Sequence, residues 1–161
     1  MTTSPEDLLA TIAAEREIFQ TFHRFFRIAD TGENERFGEC FTPDAVIEYR
    51  IMPGPVVRFH GRDEFTAHMT RVPQAQRSPV AHVLGQATID WAGERPLLTA
   101  YATVWHWNST NAYTDYQRPA DWTVIGLIHD QFEHYGGQWL IAHRDVRPVA
   151  GRTAAGGLGP F

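Results

Sequence analysis

The spacing of hydrophobic and polar positions changes about half-way along this chain. Near the N-terminus, large apolar residues recur at helical spacing, as at Leu8, Ile12, Phe22 and Phe26. From Ser78 onward, apolar and polar residues alternate, which is typical of strands with one buried face. The pattern therefore predicts helices first and a meandering sheet afterwards.

Local signals set the bounds of the helices and the early strands. Ser4 is a capping hydroxyl, Pro5 suits the first helical position, and Thr31–Gly32 ends the helix. Shorter helices are predicted over 33–41 and from Gly61 to about Arg71, and strands over 45–50 and 56–60. The alternating half predicts strands near 80–90, 97–108, 122–134 and 138–147, with hairpin connections at 91–95 and 135–138 and a polar excursion at 109–121.

The element order predicts an α+β fold. We expect a curved antiparallel sheet wrapped around the N-terminal helices, as a cone-shaped barrel that encloses a pocket. Residues 1–149 are predicted to form the single domain, and 150–161 a glycine-rich tail without regular structure. One hypothesis folds Leu158 and Phe161 back as an apolar lid on the pocket, and the alternative is terminal disorder.

Composition narrows the classes of function. A net charge of −5 argues against a nucleic-acid partner, because phosphate binding needs a concentrated basic face. All 14 basic residues are arginines, so no lysine is present to form a Schiff base. The single cysteine, Cys40, lies in an apolar surrounding and is predicted to be buried and inert. No signal peptide or membrane span is evident, so we expect a cytoplasmic protein without a membrane partner.

Three residues on three segments are candidates for acid–base chemistry. Asp30 ends the aromatic helical run, Tyr49 ends an apolar run, and His82 lies within another. A carboxylate, a phenol and an imidazole form a general acid–base site if the fold brings them into one cavity. Each also has an ordinary structural role, as a helix-end acid, a rim tyrosine or a core histidine.

Several segments, in their order, resemble the SnoaL-like branch of the nuclear transport factor 2 superfamily. They include Ala29-Asp30-Thr31-Gly32, the run from Phe41 to Tyr49, Ala81-His82-Val83-Leu84-Gly85, and the run from Gly137 to Arg144. The resemblance covers roughly residues 10–148. Within that branch the chain looks most like scytalone dehydratase and bacterial dehydratases of similar size, whose relatives include cyclases, isomerases and non-catalytic subunits.

The resemblance implies a role for each candidate. Asp30 matches a carboxylate that holds the pocket histidine, His82 matches that histidine, and Tyr49 matches a tyrosine that positions a catalytic water. Asn108 falls where a second histidine is expected, and Ile128 occupies a position that is usually polar or aromatic. Ala29 stands where the dehydratases have a second tyrosine, which is a departure from their pattern.

Strand alternation extends the candidate site. His106 and Asn108 share the face of their strand that looks inward in relatives, whereas Trp105 and Trp107 share the outer face. Large aromatic side chains on an outer face are usually covered by another subunit, so we expect a homodimer, or a higher homo-oligomer, through the outer sheet face. Arg144 lies on the same face of its strand as Leu140 and Ala142, and its side chain points into the pocket if that face is the inner one. It would then bind a ligand carboxylate or phenolate, or form an ion pair with Asp130.

Taken together, these features predict a cofactor-independent enzyme for a small hydrophobic molecule of polyketide, steroid or aromatic type. The expected reaction is a dehydration, an isomerisation or a cyclisation. The histidines lack metal-ligand spacing, so no metal is expected. The alternative is a non-catalytic binding or accessory subunit that uses the same cavity. An Asp30–His82 hydrogen bond that faces an open cavity would favour the enzyme.

Overall fold

A computed structural model describes residues 4–51, 54–73, 77–107 and 119–153. Two α-helices, a 3-10 helix and six strands make up these segments. The helices are α1 (Pro5–Thr31), the 3-10 helix (Asn34–Cys40) and α2 (Arg62–Met69). The strands are β1 (Phe41–Tyr49), β2 (Val57–His60), β3 (Val80–Asp90), β4 (Leu97–His106), β5 (Trp122–Tyr135) and β6 (Gln138–Thr153).

The six strands form one curved sheet in the order β2-β1-β6-β5-β4-β3. The α+β class and the curved sheet are therefore confirmed. Two details differ from the expected antiparallel, cone-shaped barrel. Strand β1 runs parallel to β6, and the edge strands β2 and β3 are not paired with each other. Pairing between strands so distant in sequence leaves no local signal in the alternation of residues.

The core lies between α1 and the concave face of the sheet. Phenylalanines dominate it, and Phe22, Phe25 and Phe26 pack edge-to-face along the helix. The Thr21 hydroxyl donates to the Trp139 carbonyl of β6 at 2.8 Å, which fixes the helix across the sheet. The first buried side chain of α1 is Ile18, and residues 5–13 at the beginning of the helix are exposed.

Two predicted boundaries differ from the structure. The 33–41 segment is helical, but as a 3-10 helix over Asn34–Cys40. Strand β6 continues to Thr153, four residues into the predicted tail, because it stays paired with β5 up to Trp122. The assignment of 150–153 to an irregular tail is therefore wrong. The lid residues Leu158 and Phe161 lie outside the described residues.

Candidate active site

A cavity of about 1070 Å³ lies between α1, the end of α2 and the concave face of the sheet. Its wall is mostly apolar, with Phe26, Ile51, Val104 and Val124 among its members. The exposed Arg71 also lines it, so the mouth lies near the end of α2. A space of this size is large enough for a bicyclic or tricyclic molecule.

Asp30 and His82 meet at the cavity wall. The last turn of α1 supplies Asp30, and β3 supplies His82. Nδ1 of His82 lies 2.6 Å from Oδ1 of Asp30, and the His82 backbone N–H donates to Oδ2 at 3.3 Å. The His82 ring packs on the Phe26 ring at 4.9 Å between centroids, and only 12% of its side chain is exposed. A carboxylate that accepts from Nδ1–H orients the ring, so that Nε2 is the nitrogen that takes a proton.

Tyr49, at the end of β1, lines the same cavity. Its ring stacks on Phe65 of α2 at 6.3 Å between centroids, which holds the side chain against the core. Burial raises the pKa of the Tyr49 hydroxyl, although the neighbouring Arg144 opposes the shift. The phenol is therefore protonated at neutral pH and carries an O–H group that can donate a hydrogen bond.

Arg144 of β6 and Asp130 of β5 form an ion pair within the core beside the cavity. Nε of Arg144 donates to Oδ1 of Asp130 at 2.8 Å, and Nη2 donates to Oδ2 at 2.5 Å. The guanidinium carbon lies 3.7 Å from the centre of the Phe25 ring. Burial disfavours the charge on Arg144, but Asp130 more than offsets it, and the pKa of the guanidinium is raised. The ion pair expected from strand parity is present, and Arg144 is also part of the cavity wall.

The structure describes all but one of the remaining predicted site residues. His106 and Ile128 line the cavity, so the predicted inward face of β4 is correct in the described residues. Tyr101, on the opposite face of β4, is exposed as expected. Asn108 lies outside the described residues. The structure thus brings Asp30, Tyr49, His82, His106, Ile128 and Arg144 to one cavity, and their roles stay predictions.

Sequence reasoning missed polar residues at the cavity mouth. His68, Arg71 and Arg77 line it, and His68 carries a pKa lowered by burial and then by Arg71. A signal for His68 existed, because it lies three residues after the buried Phe65 and therefore shares its side of α2. Arg77 follows a turn and has no periodic pattern around it that would reveal its position.

The prediction for the single cysteine has a structural counterpart. Cys40 is fully buried, and burial raises the pKa of its thiol to about 12, which fits the predicted inert role. Within the described segments, no group of three or more His, Cys, Asp and Glu side chains is arranged to hold a metal ion. None of the helices in the described part of the chain has a long enough apolar run to cross a bilayer.

Comparisons with known proteins give a family and a fold. A family model described as "SnoaL-like domain" matches residues 10–145. A search of curated protein sequences gave no match. A candidate scytalone dehydratase from Novosphingobium aromaticivorans superposes with a TM-score of 0.72 at 17% identity, covering 89% of each chain. The Kfla4162 protein from Kribbella flavida also gives 0.72 at 17% identity, covering 88% of this chain and 95% of that chain.

A more distant solved structure has a named elimination activity. A hexachlorocyclohexane dehydrochlorinase, LinA type 2, gives a TM-score of 0.65 at 12% identity and covers 95% of both chains. Other neighbours of similar score are NTF2-like proteins of unknown function. At these identities the likeness establishes the fold alone, and the chemistry has to be argued from the cavity.

Proposed function

The chain belongs to the SnoaL-like family, and we propose that it is a cofactor-independent acid–base enzyme for a small hydrophobic molecule. The observation that carries the proposal is the 2.6 Å contact between Asp30 and His82 on the wall of a large apolar cavity. A purely structural histidine has no need of an adjoining cavity. The reaction class is dehydration, isomerisation or cyclisation, each of which begins with removal of a proton from carbon.

In the proposed reaction, Nε2 of His82 removes a proton from a carbon next to a carbonyl group. Asp30 keeps the imidazole oriented and stabilises its charge once the proton has arrived. Tyr49 donates its hydroxyl proton as a hydrogen bond to the carbonyl oxygen, on which negative charge develops. His106, Ile128 and Asn108 contribute to substrate binding.

The second half of the reaction returns the proton. In a dehydration, the electron pair forms a carbon–carbon double bond as the β carbon–oxygen bond breaks, and the His82 imidazolium gives its proton to the departing oxygen. In an isomerisation, the proton is returned to a different carbon. In a cyclisation, the carbanion attacks a second carbonyl carbon and the new alkoxide takes the proton. All three need one base and one oxygen-binding donor, which the described cavity residues can supply.

The experiment uses 5-nitrobenzisoxazole, a neutral probe whose ring opens to a coloured phenolate when one carbon-bound proton is removed. We expect the protein to accelerate this ring opening, and His82→Ala and Asp30→Asn each to lower the rate by about 10²–10⁴-fold while the fold survives. Circular dichroism spectra check the fold. His60→Ala is the matched control, because His60 is an exposed histidine on β2 and lies outside the cavity wall.

The outcomes separate the two functions under consideration. A rate that stays at the wild-type level in both the His82 and Asp30 variants would overturn the acid–base assignment. Wild-type protein that binds the probe without opening its ring would favour the alternative, a non-catalytic binding or accessory subunit.

A further inference from the structure

The charged residues of the cavity wall are unevenly balanced. Its described residues include three arginines, Arg71, Arg77 and Arg144, but a single carboxylate, Asp30, which is engaged by His82. Arg77 is compensated, because Nη2 donates to Glu35 at 2.6 Å and Nε to the Val72 carbonyl at 2.9 Å. Arg144 is likewise paired with Asp130, so the preference of the cavity for an anion depends on the donors that these ion pairs leave unused.

Arg144 has donor capacity that Asp130 does not use. Asp130 occupies the Nε and Nη2 positions of the guanidinium, whereas Nη1 is buried and has no hydrogen-bond partner among the described residues. Both side chains are almost wholly inaccessible to solvent. An unsatisfied N–H of a buried cation is costly, so Nη1 calls for a partner, and the place of Arg144 in the cavity wall allows a ligand to be that partner.

The guanidinium cannot turn to satisfy Nη1 elsewhere. Its bidentate pairing with Asp130 fixes one edge, and the Phe25 ring covers one face at 3.7 Å from the guanidinium carbon. The side chain of Tyr49 is its polar neighbour towards the cavity. The donor is thus held ready in one orientation, as in sites that bind planar oxygen anions.

The distance between this donor and the proposed base suits one small molecule. The His82 ring and the Arg144 guanidinium both lie on the Phe26 ring, at 4.9 and 5.4 Å from its centre. Because both groups border the same ring, they lie close enough for a bicyclic or tricyclic ligand in this cavity to span them. The same ligand would have its apolar body among Val104, Val124 and Ile128.

We infer that the substrate is a carboxylate-bearing hydrophobic molecule, whose carboxylate accepts a hydrogen bond from Nη1 of Arg144 while Tyr49 binds the separate carbonyl oxygen and His82 faces the carbon that loses a proton. This assignment rests on the proposed function and adds the chemical class of the substrate. Asp130 acts through Arg144, as a positioning residue that keeps the guanidinium aligned.

The test compares two probes of nearly equal shape and different charge, 2-naphthoate and 2-naphthamide, by isothermal titration calorimetry. We expect naphthoate to bind at least tenfold more tightly than naphthamide. The substitution Arg144→Lys, which keeps a positive charge beside Asp130 but removes Nη1, is expected to reduce that preference. The double variant Asp130→Leu with Arg144→Met is expected to abolish it, and replaces the whole pair so that no single buried charge remains.

Arg71→Gln provides the control for general attraction by positive charge at the mouth. The exposed Arg71 should contribute little, so this variant is expected to keep the preference for naphthoate. Equal binding of the two probes to the wild-type protein would overturn the inference, as would a preference that survives in the double variant or disappears in Arg71→Gln.

The two proposals fail in distinguishable ways. If the wild-type protein opens 5-nitrobenzisoxazole with dependence on His82 but shows no preference for naphthoate, only the carboxylate assignment is wrong. If naphthoate is preferred through Arg144 but no His82-dependent ring opening occurs, the anion site stands and the proposed reaction is wrong.

Discussion

A single carboxylate, Glu48, joins three strands on the outer face of the sheet. It is 6% exposed, yet it lies on the side of the sheet that faces away from the core. Arg58 of β2 donates to it at 2.8 Å through Nε, Arg50 at 3.2 Å, and Nε2 of His143 lies 3.2 Å away. The side chain is covered by its own ionic partners, which are themselves partly exposed.

This carboxylate gives the protein a defined response to acid. The hydrogen bond from Arg58 is the main reason that the pKa of Glu48 is lowered from its ordinary value of 4.5. A lowered pKa means that the contribution to stability is complete above the ordinary pKa and is lost as the pH falls through the folded-state value. We expect Glu48→Gln to lower the free energy of unfolding at pH 7 by about 1 kcal/mol, since its arginines stay half exposed.

Urea unfolding at pH 7 and pH 3.5 measures that effect. The difference between wild type and Glu48→Gln should shrink at the lower pH, because the unfolded chain binds a proton at Glu48 more readily than the folded protein does. Glu17→Gln, at an exposed position of α1, should change neither value. If Glu48→Gln lowers the free energy of unfolding equally at both pH values, the ionised carboxylate is not the source of the stabilisation.

Sequence reasoning reached some site residues and could not reach others. Alternation, which is a local property of a strand, grouped the residues of each face, and the resemblance to a family indicated which face of β4 looks inward; His106 and Arg144 both line the cavity. The Asp30–His82 contact joins residues 52 positions apart, so only the resemblance to a family pointed to it. Nothing in the sequence around Arg77 reports its position in the cavity wall, since that depends on how the chain returns from α2.

The end of α1 is the element that positions Asp30. Gly32 terminates the helix in the left-handed region at φ 71°, and its N–H donates to the Ala29 carbonyl at 3.3 Å. The Glu33 N–H then donates to the Ile28 carbonyl at 3.0 Å, which closes the final turn. Asp30 lies within that turn, so its direction depends on how the helix ends.

Replacing this glycine should therefore affect both stability and the site. We expect Gly32→Ala to lower the free energy of unfolding by about 1 kcal/mol, because a Cβ is disfavoured at positive φ. The rate of 5-nitrobenzisoxazole ring opening should also fall, as Asp30 is displaced. Unfolding in urea and initial rates measure the two effects.

Gly38→Ala in the 3-10 helix is the matched substitution. A Cβ at Gly38 would meet Thr66 Oγ1 at 3.8 Å and Arg62 Cδ at 3.9 Å, which are ordinary contacts. That variant should keep the wild-type stability and rate. If Gly38→Ala is as harmful as Gly32→Ala, helix termination is not the cause.

The elements themselves were largely predictable and their pairing was not. Alternation located β3 and β5 to within about one residue, because each has one buried and one exposed face. The parallel pair of β1 with β6 was missed, since it depends on packing across the whole chain. The length of β6 was underestimated because the glycine and small residues within 150–153 are typical of an irregular tail. In the structure these residues pair with β5 as far as Trp122.

Across the whole molecule, the outer face of the sheet divides into two regions. The β2-β1-β6 side has the charged residues Glu48, Arg58 and Asp145. The β3-β4-β5 side has exposed apolar side chains: Val83 and Ile125 lie in one row across the strands with Thr103 between them, and Tyr101 lies on the same face. Val83 is 60% exposed and Tyr101 is 38% exposed. Patches of this kind are typical of subunit contacts.

We expect a homodimer through this patch, in which two copies cover each other's exposed apolar side chains. Val83→Arg should convert the dimer to a monomer in size-exclusion chromatography with light scattering, because it introduces a charge that would be buried. Leu9→Arg, at the exposed beginning of α1, should leave the dimer intact. A wild-type monomer at micromolar concentration, or a dimer sensitive only to Leu9→Arg, would refute this interface.

The parallel pairing of β1 with β6 also has a consequence in time. A growing chain can form the β1–β2 hairpin and the β3–β4–β5 meander early, but no strand pairing of the described sheet joins the two until β6 has been made. Such distant pairing places the protein among slow-folding topologies, in the range of milliseconds to seconds. The cavity draws Tyr49 from the first strand and Arg144 from the last, with His82 between them in sequence. We expect its polar residues to come together in one late event, so that no partly synthesised chain contains a working pocket.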